Sequence, residues 1–266
     1  MVQHVLITGA SQGAGKATAL HFARNGWNVT LAARHLERLE TVAQEIRDLG
    51  QQALALATDV GQATQVDRLV QTSLDTYGHV DALINNAGIC LTGPAVNTSL
   101  EDWRQILDTN LWGCIHTIQA LLPAMLSRGS GTIINVGSFG GKMPLPQMTA
   151  YCTSKYALTG LTETLRLELT SQGIHVGIVH PGVINSDFLE RAMFRGQTDQ
   201  AASERQQQMG QMLNSSWVSQ PEDIARAVWK AVQQQQAETV VGPAMVATEC
   251  HRLFPQLTQW ALSKAT

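Results

Sequence analysis

The sequence predicts an α/β fold, a doubly wound parallel sheet of about seven strands with helices on both faces. Three observations carry that prediction. Short β-rich apolar runs recur at 5–8, 29–32, 53–58, 82–85, 132–136, 175–179 and 239–241. Several lack apolar–polar alternation, as expected of strands covered on both faces. Helical patterns fill the gaps, at 14–25, 36–49, 64–77, 100–126, 150–171 and 222–235, and such alternation implies parallel pairing through right-handed crossovers.

Taken in order, the first strand runs into Thr8-Gly9-Ala10-Ser11-Gln12-Gly13-Ala14-Gly15 and then directly into a helix. Glycines permit a tight turn and let backbone N–H groups approach a pyrophosphate, which the helix N-terminus favours electrostatically. A glycine-rich turn alone is a common structural device; strand before and helix after are what point to a dinucleotide. That places Rossmann-like binding at Gly9, Ser11, Gln12, Gly13, Ala14 and Gly15. The second strand ends in Ala32-Ala33-Arg34. An NAD site puts a carboxylate there for the ribose 2′-hydroxyl. Arg34 instead suits a 2′-phosphate, so the expected cofactor is NADP(H).

The fifth segment of helix, 150–171, carries Tyr151 and Lys155 four residues apart, hence on one face. A nearby ammonium stabilises a phenolate and makes the phenol a better acid–base at neutral pH. Read alone, the pair is an ordinary surface Tyr and Lys. Ser138 follows the strand at 132–136, at a carboxyl strand edge where doubly wound sheets bind ligands. Read alone, it is an ordinary turn serine.

These residues together resemble the short-chain dehydrogenase/reductase family. The TGxxxGxG turn is Thr8 to Gly15. Asn85-Asn86-Ala87-Gly88 matches the family's NNAG motif, and Asp59, with Val60, matches the acid beside the adenine. The family's Asn–Ser–Tyr–Lys tetrad falls on Asn110, Ser138, Tyr151 and Lys155. Pro181-Gly182-Val183 matches the PG motif, and Ser186 stands where a threonine usually contacts the carboxamide. Asn86, Ala87, Gly88, Pro181, Gly182, Val183 and Ser186 are therefore expected cofactor contacts, together with Tyr151 and Lys155. The likeness runs from residue 5 to about 242, and five ordered motifs are far more specific than any one. Departures are Ala14 for Ile, Gly137 for a first Ser, Ser186 for Thr, and Gln12 where a basic residue often helps hold NADP.

The resemblance implies NADPH-dependent reduction of ketones or aldehydes to alcohols, reversible as an alcohol dehydrogenase. In it Ser138 holds the substrate oxygen, Tyr151 exchanges the proton, Lys155 holds the ribose and Asn110 positions a relay water. A 3-oxoacyl-(acyl-carrier-protein) reductase shares the tetrad. It typically continues NNAG with a TRDNLL-like run, where this chain has Ile89-Cys90-Leu91-Thr92-Gly93-Pro94. An NADPH-sensing regulator on the same fold is a reading of another class; regulators commonly lose the Tyr or Lys, and both are present here.

The remaining segments complete a single expected domain, 1–266. The stretch 185–219 has no strand pattern. It bears Phe188, Met193, Phe194, Met209, Met212, Leu213 and Trp217, which fits a substrate lid over an apolar pocket or a short helical pair packed on the domain. A C-terminal extension covers 243–266. Residues 111–126 and 157–169 are apolar around much of their circumference, which fits either a helix–helix oligomer interface or deep burial. The family suggests a homodimer or homotetramer through them.

Composition limits the alternatives. The 266 residues are 44% hydrophobic and 15% charged, a globular balance, and the net charge of −3 gives no electrostatic case for nucleic acid or an anionic membrane. The N-terminal residues lack the features of a signal peptide, and no run of about 18 apolar residues predicts a membrane span. The protein is expected in the cytoplasm, with a small carbonyl or alcohol as its partner molecule. Cys90, Cys114, Cys152 and Cys250 form no CxxC pair and the histidines no metal-ligand spacing, so free thiols and no metal site are expected.

Overall fold

In a computed structural model, which describes residues 2–184, 192–213 and 218–264, seven parallel strands form one sheet. They are β1 (His4–Thr8), β2 (Asn28–Ala33), β3 (Ala53–Ala57), β4 (Ala82–Asn85), β6 (Gly131–Val136), β7 (Ile174–Pro181) and β9 (Glu238–Val241), in the order β3-β2-β1-β4-β6-β7-β9. Every strand anticipated from the sequence is present. Two short strands were not anticipated: β5 (Cys90–Thr92) pairs in parallel with β8 (Ala192–Phe194) outside the main sheet.

The strands read as continuous apolar runs because both faces are covered. Val5 and Ile7 of β1 pack with α1 (Gly13–Arg24), α2 (Leu36–Asp48) and α8 (Pro221–Gln233). Leu6 points the other way, toward α3 (Ala63–Tyr77), α5 (Gly113–Arg128) and α6 (Thr149–Leu169). Successive residues serve opposite cores, as the strand period of two requires. A chain of buried amides crosses this second layer: Thr117 donates to Asn85 (2.7 Å), Asn85 to Asn135 (3.0 Å), and Asn135 to Thr162 (2.9 Å).

The chain leaves β1 for β2 and β3, then returns to place β4 on the other side of β1. That reversal of strand order is a topological switch point, and the carboxyl ends of β1 and β4 there are the usual ligand position in such sheets. The helix expected over 100–126 runs as α4 (Leu100–Leu107) and α5, joined by one wide π-turn, Asp108–Trp112. π-turns are uncommon and often mark functional positions; this one contains Asn110. Part of 185–219 is ordered as β8 and as α7 (Asp199–Leu213), while Phe188 and Trp217 lie outside the described residues. The extension forms α9 (Ala244–Leu253) and α10 (Pro255–Lys264). On α5 and α6, one side of each helix is buried, with Leu126 of α5 and Tyr156 and Leu167 of α6 exposed, as is Trp112 at the end of the π-turn. Among the described residues no helix is long and apolar enough to cross a membrane, and no His, Cys, Asp and Glu group could hold a metal ion.

Candidate active site

The glycine turn is built as phosphate contact demands. Gly9 has φ +66°, and a side chain on it would meet Ala87 Cα at 2.8 Å. A Cβ on Gly15 would lie 2.1 Å from the Gly9 carbonyl oxygen, so only glycine lets α1 sit this close to the turn. The NNAG segment holds the turn from behind. Asn86 Nδ2 donates to the carbonyls of Thr8 (3.0 Å) and Gly9 (3.1 Å), and Thr8 Oγ1 accepts the N–H groups of Asn86 (3.1 Å) and Ala87 (3.0 Å).

The Ala10 N–H is spent on the Ala32 carbonyl at 3.2 Å, but among the described residues other donors of this turn are left over. Gln12, the N-cap of α1, makes no side-chain cap bond, and its buried Nε2 has no partner. Ser11 stands just before this N-cap, and Gly13 and Ala14 open the first turn of the helix, which carries no acidic residue. An orphaned donor beside uncapped N–H groups and glycine-lined space fits an anionic phosphate.

Arg34 follows β2 and is exposed. Sequence reasoning missed Arg38, whose Nη1 hydrogen-bonds Gln12 Oε1 and brings a second guanidinium to the turn. Its signal was the spacing, one helical turn beyond Arg34. Asp59 lies just beyond β3, where its Oδ1 accepts the Gly61 N–H (3.0 Å), and the Val60 carbonyl is 2.9 Å from His116 Nδ1. Pro181 ends β7; Gly182 and Val183 follow, and the Val183 carbonyl accepts the Ser219 N–H at 2.9 Å. Ser186 lies outside the described residues.

The structure brings the tetrad positions close together: a methyl on Gly88 would stand 3.4 Å from Asn110 Oδ1 and 3.6 Å from Lys155 Nζ. Lys155, buried in α6, donates to the Val136 carbonyl at 3.0 Å, and its Nζ lies 5.9 Å from the centre of the Tyr151 ring. Burial lowers the Lys155 pKa, opposed by the Cys114 and Cys90 side chains. Ser138 caps the turn Phe139–Gly141, its Oγ accepting the Gly140 N–H at 3.1 Å. A methyl on Gly140 would stand 3.4 Å from Tyr151 Cε1, so this turn adjoins the phenol.

Asn110 is fully buried, and both ends of its side chain are engaged. Its Oδ1 accepts the Ile89 N–H (2.9 Å), and its Nδ2 donates to the Ile89 carbonyl (2.9 Å) and to Ser154 Oγ (3.0 Å). Ser154 in turn donates to the Tyr151 carbonyl at 2.7 Å. Asn110 thereby ties the π-turn to the segment after NNAG and to α6. Ser154 had no sequence signal, because one serine on a helix looks like any other.

The nearby thiols stay protonated. Burial pushes Cys114 up to about 11 and raises Cys90 and Cys152 as well, as expected of core cysteines. Met193 of β8 packs near Leu91, Ile106 and Ala150, the neighbour of Tyr151. The bidentate pair between Arg195 and Asp102 (2.6 and 3.1 Å) holds β8 to α4.

Comparison with known proteins agrees with this geometry. The short chain dehydrogenase family model matches residues 3–194. An uncharacterized oxidoreductase, YxnA, of Bacillus subtilis is 32% identical over 266 residues, 98% of this chain and 72% of that protein. A 3-oxoacyl-[acyl-carrier-protein] reductase of Synechocystis is 39% identical over 189 residues, covering 71% and 76%. Among solved structures, a short-chain dehydrogenase/reductase from Burkholderia phymatum in complex with NAD superposes with a TM-score of 0.88 at 25% identity, covering 96% of this chain and 95% of that one.

Proposed function

The chain belongs to the short-chain dehydrogenase family, and from that premise we propose that it reduces ketones or aldehydes with NADPH, and oxidises the alcohols in reverse. The observation that carries the proposal is the meeting of Ser138, Tyr151 and Lys155 beside a phosphate-ready turn. Gly9, Ser11, Gln12, Gly13, Ala14 and Gly15 hold the pyrophosphate, and Arg34 the 2′-phosphate. Asp59 and Val60 sit at the adenine, Asn86, Ala87, Gly88, Pro181, Gly182 and Val183 line the rest, and Ser186 is the carboxamide contact expected from the sequence. When bound, the reduced nicotinamide supplies the hydride.

The protein's own groups position the substrate and move the proton. Ser138 Oγ already accepts a backbone N–H, so its hydroxyl hydrogen is left to donate to the substrate oxygen. Tyr151 gives its proton to that oxygen as charge develops there. Lys155 contacts the ribose, and its charge favours the phenolate left behind. Asn110, with both Nδ2 hydrogens spent on Ile89 and Ser154, serves as an acceptor for a relay water toward Lys155. Met193 and Phe194, half-buried on β8, favour bulky apolar substrates. The exposed sides of α5 and α6 favour a homodimer or homotetramer.

The test is Tyr151→Phe. It is expected to bind NADPH normally and to lose turnover by about 10²- to 10⁴-fold, the usual worth of a general acid. Undiminished turnover would falsify the role. A second reading, reduction of 3-oxoacyl thioesters, is favoured by the Synechocystis relative. NADPH oxidation measured on an acetoacetyl thioester beside aryl and alkyl ketones separates the two.

A further inference from the structure

The sheet ladder between β6 and β7 stops one residue short of Ser138. The Gly137 N–H still bonds the Val179 carbonyl at 2.7 Å. Beyond it the partner strand offers Pro181, which has no N–H. Backbone pairing therefore cannot hold the residue that the mechanism needs most firmly placed.

A side chain takes over at that point. His180, with 0% exposure, sets Nδ1 2.9 Å from the Ser138 carbonyl oxygen. A carbonyl only accepts, so the hydrogen-bond network assigns a hydrogen to Nδ1. The other ring nitrogen lies 3.0 Å from Glu238 Oε1, at the start of β9, off the direction of a straight N–H bond. Glu238 is also paired with Lys142 Nζ. Contact with His180 and Lys142 holds its carboxyl down at about 2, so it is a carboxylate at any working pH.

Residues 138 and 142 flank the turn Phe139–Gly141. The His180 bond to Ser138 and the Lys142–Glu238 pair, whose carboxylate lies 3.0 Å from His180 Nε2, therefore flank that turn on both sides. This arrangement also accounts for Gly137, where relatives commonly have serine: a Cβ there would stand 2.7 Å from His180 Nδ1. The imidazole occupies the space a side chain at 137 would need.

We propose that His180, braced by Glu238 and Lys142, is a positioning residue that fixes the Ser138 turn against the substrate oxygen. The inference rests on the reading of Ser138 given above. His180 touches neither substrate nor cofactor in this role and acts through the Ser138 carbonyl. Placement errors of about 1 Å in such a group cost on the order of 10²-fold in rate.

The experiment compares His180→Leu, His180→Asn and Glu238→Gln with the wild type, using NADPH, an aryl ketone and fluorescence titration of NADPH. Asn places its amide N–H₂ where Nδ1 stood and keeps the bond to Ser138. Leu removes it. His180→Leu is expected to lower kcat on the order of 10²-fold, with KM and the NADPH dissociation constant within about twofold of wild type. His180→Asn is expected to recover kcat to within about threefold of wild type. Glu238→Gln lowers kcat less, with the same unchanged KM.

The proposal is overturned if folded His180→Leu keeps wild-type kcat, if Asn and Leu are equally impaired, or if the loss appears as weakened NADPH binding. Should His180→Leu fail to fold, an unchanged kcat in Glu238→Gln, or no activity in a folded His180→Asn protein, overturns it. A wild type inactive on every ketone sinks the functional reading instead, whatever the variants do.

Discussion

At the amino end of the sheet, His4 is buried with Nδ1 2.7 Å from the His79 carbonyl and Nε2 2.9 Å from Thr30 Oγ1, which reaches Ser73 at 3.0 Å. Asp81 takes the His4 backbone N–H at 2.8 Å and pairs with Arg128 (3.1 Å) and His79 (3.2 Å). At the carboxyl end, Gln12 Nε2 has no partner, α1 has no side-chain cap, and Gly15 keeps open the space a side chain would fill. Both ends are rich in polar groups, histidine included. What separates them is whether the groups satisfy one another. A closed network contributes to folding, whereas unspent donors beside glycine-made space contribute to binding.

The comparison breaks most sharply at Gly15. Gly15→Ala forces a methyl to within 2.1 Å of the Gly9 carbonyl, so the turn must open. NADPH affinity is expected to fall by about 100-fold or more, the scale of a few kcal/mol of overpacking strain. Equilibrium titration checks this, and near-normal affinity would mean the turn does not carry the phosphates.

Arg34→Ala sharpens the cofactor side. It is expected to cut the preference for NADPH over NADH by about ten- to a hundredfold, the worth of one charged hydrogen bond pair. The ratio of kcat/KM for the two cofactors reads it out. An unchanged ratio would pass the discrimination to Arg38.

At the other end, His4→Leu leaves the His79 carbonyl without its partner and the Thr30 hydroxyl with Ser73 alone. Stability is expected to drop by about 1–3 kcal/mol, measured by denaturant unfolding, with kcat intact. Loss of kcat in a folded variant would erase the division between the two ends.

The same histidine also carries a pH dependence. Burial lowers the His4 pKa from 6.5 to about 4. Above pH 6.5 neither state binds the proton and the stability is complete. As pH falls from 6.5 toward 4, the unfolded chain takes up a proton that the folded chain refuses, so stability declines. The slope over that window is expected to flatten in His4→Leu; an identical slope would place the titration elsewhere.

The sequence by itself determined the seven sheet strands, the glycine turn, and the placing of Tyr151 and Lys155 on one helical face. Each of these is written within a few consecutive residues, as a period of two, a run of glycines or a spacing of four. The tertiary structure alone decided what surrounds them. Asn110 meets Ile89 across 21 residues, Ser138 meets His180 across 42, and Asp102 meets Arg195 across 93. Nor did local pattern reveal that the helix over 100–126 widens at Asp108–Trp112, or that β5 and β8 pair. These features depend on which surfaces the packed layers bring together, and a side chain's partner at that range leaves no periodic trace in its own neighbourhood.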